Sequence, residues 1–167
     1  MPWKQVGALG ALLAALAGCG PDTARPPRNL VLVSVDTLRT DRLGFAGHAA
    51  ARTPTLDALA ARGTWFANAT TPLPRTTPAV ASLFTGLWPH HHGSREVMAP
   101  MNPLPTLASV LALQGWRAIG VSSSPALTSE ENVDVGFDRF DFDKLDAAGV
   151  TALALERVAE VPADTPV

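Results

Sequence analysis

The sequence is short of cysteine, of tyrosine and of net charge. Its single cysteine excludes a disulfide within the chain. Lysine and arginine total 13 against 15 aspartates and glutamates, and the net charge of −2 indicates no nucleic-acid-binding surface. The missing tyrosine excludes no fold. What is present is 47% apolar residues over 167 positions, an ordinary composition for a chain that buries one core.

The N-terminal apolar run, Val6 to Ala17, is too short to serve comfortably as a permanent membrane anchor. It follows a positive charge at Lys4 and precedes small residues, a layout typical of a secretory signal. The run ends in "LAGC", which resembles the bacterial lipobox, in which the cysteine, here Cys19, is lipidated and begins the mature protein. An ordinary signal peptide with an incidental cysteine is the alternative.

These features divide the chain into three parts. Residues 1–18 are predicted as a lipoprotein signal peptide, residues 19–28 as a Pro-rich tether, and residues 29–167 as a folded α/β domain. The predicted location is therefore the cell envelope. The exported protein would be lipid-anchored to the membrane and would face the periplasm or the exterior.

Folding is predicted to begin with "LVLVSVD", Leu30 to Asp36. This short apolar, β-branched run that ends in a carboxylate is typical of a strand buried on both faces in a parallel sheet. Ligands of such sheets bind beyond the carboxyl ends of the strands. Asp36 is therefore a candidate for the site.

Three further elements follow from local signals. Thr53 as a cap, Pro54 at the first helical position and Gly63 as a stop predict a helix in "TPTLDALAARG". The segment Thr64 to Thr70 is predicted as a second short strand. The tail from Thr151 onward is predicted as a helix that runs toward another strand.

The stretch "RTTPAVASLFTG" predicts a further helix. Because proline is tolerated best in the first turn, Pro78 makes Thr77 the cap and leaves Thr76 just outside, with a helix over Ala79 to Thr85 that stops at Gly86. Unpaired N–H groups and the helix dipole would hold a phosphate or sulfate ester against the Thr76 hydroxyl. An ordinary helix start with no ligand is the alternative.

Four ordered stretches carry a family resemblance: "NLVLVSVDTLRTDRLGFAG", "TPTLDALAARGTWFANAT", "TTPAVASLFTGLWPHHHG" and "LASVLALQGWRAIGVSSSP". In order and spacing they resemble the N-terminal blocks of the sulfatase family within the alkaline phosphatase superfamily, over about Asn29 to Asp146. The resemblance implies a partial alkaline-phosphatase-like α/β fold, a mostly parallel sheet with flanking helices, truncated at the C-terminus.

The resemblance also implies a site. The family's nucleophile falls on Thr76, and its first metal carboxylate falls on Asp36. A divalent cation (Ca, Mg, Mn or Zn) would bridge the nucleophile and the ester oxygens, lower the pKa of the hydroxyl and neutralise charge. His92, just before a glycine, takes a position that implies a substrate-side role. His90 and His91 could instead bind a metal ion, but three adjacent histidines cannot easily converge on one ion.

The sequence departs from the sulfatases proper at several positions. They carry Cys or Ser where Thr76 stands, so no formylglycine is expected here. Val80 replaces an arginine, Thr37 replaces a second metal carboxylate, and Ser123 and Pro125 fall approximately where a lysine and a histidine are expected. A threonine nucleophile instead resembles the phosphoglycerol and phosphoethanolamine transferases of the superfamily.

The acidic run over residues 130–146 is predicted as a solvated loop, since it lacks the ligand pattern of a calcium loop. The metal ligands that the superfamily supplies from a later block are not in the sequence, so the chain is expected to be an N-terminal fragment, inactive alone.

The predicted function is a sulfatase-like, metal-dependent hydrolase of sulfate or phosphate esters. The alternatives are a phosphoglycerol- or phosphoethanolamine-type transferase and a non-catalytic lipoprotein remnant.

Overall fold

A computed structural model describes residues 29–167. The predicted signal peptide, the lipidation candidate Cys19 and the Pro-rich tether lie outside these residues. Within 29–167, no helix combines the length and the apolar character needed to cross a bilayer.

The sheet of the described residues has two parallel strands, β1 (Ile119–Ser122) and β2 (Arg139–Phe142). Gly120 lies opposite Phe140, where a Cβ on the glycine would fall within 2.3 Å of the phenylalanine ring. Helices pack beside this sheet, which confirms the predicted partial α/β fold with parallel strands.

Five α-helices lie within residues 29–167. They are α1 (Pro54–Arg62), α2 (Thr76–Thr85), α3 (Pro89–His92), α4 (Leu107–Ala112) and α5 (Ala147–Ala159). Helix α5 packs on β1, and α2 contacts α3 and α4. Two 3-10 turns, Thr40–Arg42 and Ser129–Glu131, connect other segments. The predicted boundaries of α1 at Pro54 and Gly63 are confirmed.

The buried core is small and lies around α2 and the segments that follow it. Ala81, Met101 and Val133 are almost fully buried. Glu131 is also buried, and its carboxylate accepts hydrogen bonds from both the backbone N–H and the hydroxyl of Thr128. The prediction of a solvated acidic loop was therefore wrong. Apolar Phe140 and Phe142 alternate with charged residues in this run, and they form β2.

The segment Leu30 to Asp36 is not a buried strand, so this prediction was wrong. It has no ladder partner among the described residues, and Val31 and Val33 are 82% and 77% exposed. A strand buried on both faces needs neighbouring strands and covering helices, and residues 29–167 supply neither at this position. Thr64 to Thr70 likewise forms no strand and is exposed throughout.

Helix α2 begins earlier than predicted. Arg75 is its N-cap and Thr76 its first residue, whereas Thr77 had been predicted as the cap. The Thr77 hydroxyl is occupied elsewhere, because it bonds two backbone groups of neighbouring loops. Gly86 ends the helix as predicted, with a left-handed φ of 70°.

Candidate active site

Asp36 and Thr76 are brought together although 40 positions separate them in the sequence. The Thr76 hydroxyl points to the carboxylate and lies 3.4 Å from each of its two oxygens. These distances exceed the usual 2.5 to 3.0 Å of an O–H···O bond. Asp36 is exposed and Thr76 is partly exposed, so a ligand can approach the pair from solvent.

The first turn of α2 is fixed by bonds outside the site. The buried Thr77 hydroxyl donates to the Ala126 carbonyl and accepts from the Met98 N–H, both at 2.8 Å. The Ala79 N–H closes the turn on the Arg75 carbonyl at 3.0 Å. The N–H groups of Thr76 and Thr77 belong to the part of a helix that has no intrahelical acceptors, and they give the site a partial positive charge.

The pair opens into a groove of about 1110 Å³ between the Leu30–Asp36 segment, α2 and β1. Val80, one turn into α2, lines it, and so does Ser123, which follows β1. These are two of the positions at which the sequence departs from the sulfatases proper. Neither side chain carries charge. The groove therefore lacks the arginine and the lysine that the resemblance leads us to expect at these two positions.

Three arginines line the groove, and two of them, Arg39 and Arg75, lie close in sequence to the Asp36 and Thr76 pair and were missed by sequence reasoning. Arg39 forms a double contact with Asp41 at 2.6 and 2.9 Å, and Arg75 forms an ion pair with Glu96. The hydrogen bond from Arg39 lowers the pKa of Asp41. The available signal was proximity in sequence, since Arg75 directly precedes Thr76 and Arg39 follows Asp36 by three positions.

Thr37, next to Asp36, has a φ of 55°. A β-branched residue in the left-handed region is a genuine outlier, and such conformations cost about 1–3 kcal/mol. The backbone is therefore strained directly after the carboxylate of the site.

His92 lies apart from this pair. Its side chain is fully buried, Nε2 lies 2.9 Å from the Ser82 hydroxyl, and Nδ1 accepts from the Ser94 N–H at 3.3 Å. Burial lowers the pKa of His92. Contact with an ester in the groove would require the ring to leave both partners, so the predicted substrate-side role stays a prediction.

The donor chemistry of the pair suits a hard divalent cation, because two carboxylate oxygens and one hydroxyl oxygen lie together. The number of donors is small, since Ca²⁺ takes about 6–8 oxygen ligands. Among residues 29–167, no group of three or more His, Cys, Asp or Glu residues could hold a metal ion. Asp36 and Thr76 therefore offer the oxygen ligands that such a cation prefers, and they supply part of its coordination shell.

The chain is similar to known proteins over most of its length. Residues 28–148 match the family model described as Sulfatase. Arylsulfatase A of Homo sapiens is 42% identical over 118 residues, which make up 66% of this chain and 23% of that protein. Arylsulfatase of Clostridium perfringens is 42% identical over 91 residues, 53% of this chain and 19% of the relative.

Ulvan-active sulfatase of Formosa agariphila is 44% identical over 91 residues, 53% of this chain and 18% of the relative. The matched parts thus span less than a quarter of the length of these relatives. No solved structure gives a significant match.

Proposed function

The chain belongs to the sulfatase family, and on this premise we propose that it is the N-terminal part of a metal-dependent hydrolase of sulfate or phosphate esters. One observation carries the proposal. The Thr76 hydroxyl stands at the first residue of α2 and within 3.4 Å of both oxygens of Asp36, in a groove open to an ester.

The roles divide between the two residues. Asp36 would hold the cation together with the Thr76 hydroxyl, and a bound divalent cation supplies charge neutralisation and a lowered pKa of the hydroxyl. The Thr76 oxygen would form a bond to the sulfur or phosphorus of the ester as the bond to the ester's alkoxide oxygen breaks. The hydroxyl proton would pass to water, and the departing alkoxide would take a proton from water and leave as the alcohol. The N–H groups of the first turn of α2, with Arg39 and Arg75, would offset the negative charge on the ester oxygens.

The residue at the nucleophile position favours a second candidate function. Threonine cannot become formylglycine, so the reaction would pass through an ester of Thr76. Water would release that ester in a hydrolase, and an acceptor alcohol would release it in a phosphoglycerol- or phosphoethanolamine-type transferase. Reaction in the presence of glycerol separates the two, because a glycerol ester would be the main product of a transferase, whereas a hydrolase would release mainly the inorganic anion.

The sulfate ester is the first substrate class to test, because the relatives that match carry the names arylsulfatase and ulvan-active sulfatase. An aryl sulfate and an aryl phosphate, each assayed with Ca²⁺, Mg²⁺, Mn²⁺ and Zn²⁺, cover both chemistries. A protein that extends this chain to the length of its relatives is the form to assay, and the 167-residue chain is expected to bind these cations weakly.

Two substitutions in the longer form test the assignment. Thr76→Ala should abolish turnover and retain most of the metal affinity, whereas Asp36→Ala should reduce both, because one residue supplies the attacking oxygen and the other fixes the ion. Glu130→Ala, which removes an exposed carboxylate elsewhere, is the matched control. Turnover that survives Thr76→Ala, measured beside calorimetric metal titration, would contradict the proposal.

We further propose that the enzyme is lipid-anchored at the cell envelope through Cys19. Cys19→Ser should abolish metabolic labelling with a fatty acid and release the protein from the membrane fraction. Labelled, membrane-bound Cys19→Ser protein would overturn the anchor.

The same expression system tests the absence of formylglycine. Co-expression with a formylglycine-generating enzyme should leave the mass of the Thr76 peptide unchanged.

A further inference from the structure

The first turn of α2 has no side-chain cap. Its N-cap residue, Arg75, makes no capping hydrogen bond, and the ion pair of Arg75 with Glu96 is exposed to solvent. Exposed ion pairs contribute only about 0–1 kcal/mol. The Thr76 hydroxyl itself lies 3.4 Å from the Asp36 oxygens, which is longer than an ordinary hydrogen bond. The position of Thr76 therefore depends on other contacts of this turn.

The next residue, Thr77, makes such contacts. Its side chain is fully buried and is not among the groove-lining residues. Its hydroxyl donates to the Ala126 carbonyl and accepts from the Met98 N–H, both at 2.8 Å. Because a β-branched side chain is already stiff at χ1, two bonds to its hydroxyl also fix the backbone that carries it. Thr77, and with it the adjacent Thr76, is thereby tied to two distant segments.

Both segments are themselves held in place. Ala126 is buried and lies in the turn after β1. On the other side, Met98 precedes Ala99, whose carbonyl accepts a hydrogen bond from the buried Ser94 hydroxyl at 2.7 Å. The Thr77 hydroxyl therefore connects the start of α2 both to the end of the sheet and to the loop before α4.

The two segments also carry parts of the groove. Val97, which directly precedes Met98, lines the groove, and so does Leu127, which directly follows Ala126. The hydroxyl of Thr77 thus fixes the first turn of α2 relative to two other parts of the groove that would receive the ester.

We propose that Thr77 is a positioning residue for the nucleophile, because its hydroxyl holds the first turn of α2 where Thr76 faces Asp36 and the ester. The inference rests on the proposed function of Thr76. Loss of the Thr77 hydroxyl leaves the Met98 N–H and the Ala126 carbonyl without this partner, and the turn would shift as they find others. A misplacement of about 1 Å in a catalytic group can cost roughly 100-fold in rate.

The test compares Thr77→Val with Thr77→Ser in the longer form of the enzyme, on whichever of the aryl sulfate and the aryl phosphate the parent hydrolyses. Valine keeps the shape of threonine and removes the hydroxyl, whereas serine keeps the hydroxyl. Thr77→Val should lower kcat roughly 10- to 100-fold, change KM by less than about threefold and retain most of the metal affinity. Thr77→Ser should keep kcat within about threefold of the parent.

Thr106→Val is the matched control for lost stability. Thr106 is 2% exposed, and its hydroxyl likewise joins a backbone N–H, that of Ser109, to a distant carbonyl, that of Val135. Its loss should destabilise the fold without releasing the first turn of α2, so kcat should stay within about threefold of the parent. All variants are assayed at a temperature at which urea unfolding shows them to be folded.

A second measurement follows the bonds themselves, by NMR hydrogen exchange in the 167-residue chain. Thr77→Val should speed exchange of the Met98 amide roughly tenfold or more and leave the Ser109 amide unchanged, whereas Thr106→Val should do the reverse. If Thr77→Val does not fold, Thr77→Cys takes its place, because a thiol is a weak donor and a weak acceptor. The kcat of Thr77→Cys should then fall below that of Thr77→Ser.

The inference is overturned if Thr77→Val keeps the parent's kcat, if it changes KM alone, or if Thr106→Val loses as much kcat. It is also overturned if Thr77→Ser loses as much kcat as Thr77→Val. Turnover that survives Thr76→Ala, measured in parallel, overturns the proposed function instead. A Thr76→Ala variant without turnover beside a fully active Thr77→Val variant leaves the proposed function standing and removes only the positioning role.

Discussion

At the scale of single residues, the strained backbone beside Asp36 makes a quantitative prediction. Thr37→Asn should raise the free energy of unfolding by about 1 kcal/mol, because asparagine tolerates the left-handed conformation that costs a β-branched residue more. Urea unfolding measures the difference. Thr64→Asn, on an exposed residue whose φ is not positive, is the control. An equal effect of both substitutions would mean that Thr37 stores no strain.

His92 predicts a pH dependence of stability. Its Nδ1 accepts the Ser94 N–H, so the neutral ring donates from Nε2 to Ser82, and burial holds the pKa of His92 below its usual value. The unfolded chain therefore binds more protons as the pH falls below about 6.5, and the free energy of unfolding decreases there. Above that pH the contribution is fully present.

Urea unfolding at pH 7.5, 6.5 and 5.5 compares the parent chain with His92→Gln, roughly spanning the ordinary pKa of histidine. The parent should lose stability between the two lower values, and the variant should lose less. Parallel curves would show that the buried ring makes no contribution to the pH dependence.

At the scale of elements, the start of α4 depends on one hydroxyl. Thr106 is 2% exposed, its hydroxyl accepts from the Ser109 N–H at 3.2 Å, and it donates to the Val135 carbonyl at 2.6 Å. Thr106→Ala should lower the free energy of unfolding by about 1–3 kcal/mol, because it removes a helix cap and leaves a carbonyl unpaired. Thr106→Ser keeps the hydroxyl and should retain most of that stability.

Helix α5 is attached to the sheet by charge. Arg157 donates from Nε to Asp141 of β2 at 2.7 Å, and this hydrogen bond lowers the pKa of Asp141. The contribution is present above the unfolded pKa of about 3.9 and is lost as the pH falls below it. Asp141→Asn should therefore weaken the acid dependence of unfolding below about pH 4, as measured by urea titration.

At the scale of the whole molecule, the apolar side chains of the Leu30–Asp36 segment are largely exposed to solvent. Val31 is 82% exposed. In the 167-residue chain, Val31→Lys should change the free energy of unfolding by less than about 0.5 kcal/mol, and it should raise the concentration at which light scattering detects association. A loss of several kcal/mol would mean that this side chain is buried in solution.

The sequence by itself determined the family, the class of fold and the local elements that depend on neighbours in the chain. Thr53 and Pro54 at the start of α1, Gly63 after its end and Gly86 after α2 act through backbone geometry within one turn. Such signals need no distant partner. Asp36 and Thr76 were also chosen from sequence, through a resemblance whose motifs preserve order and spacing.

Only the tertiary structure decided which residues meet. The 3.4 Å approach of Thr76 to Asp36, and the position of Arg39 and Arg75 at the same groove, depend on contacts between segments far apart in the chain. Tertiary contacts also moved the cap of α2, because the Thr77 hydroxyl bonds Ala126, 49 positions away. The apolar run after Asn29 has the pattern of a buried strand, but burial requires neighbours on both edges. The apolar pattern allows a segment to form a buried strand, and its neighbours in space determine whether it does so.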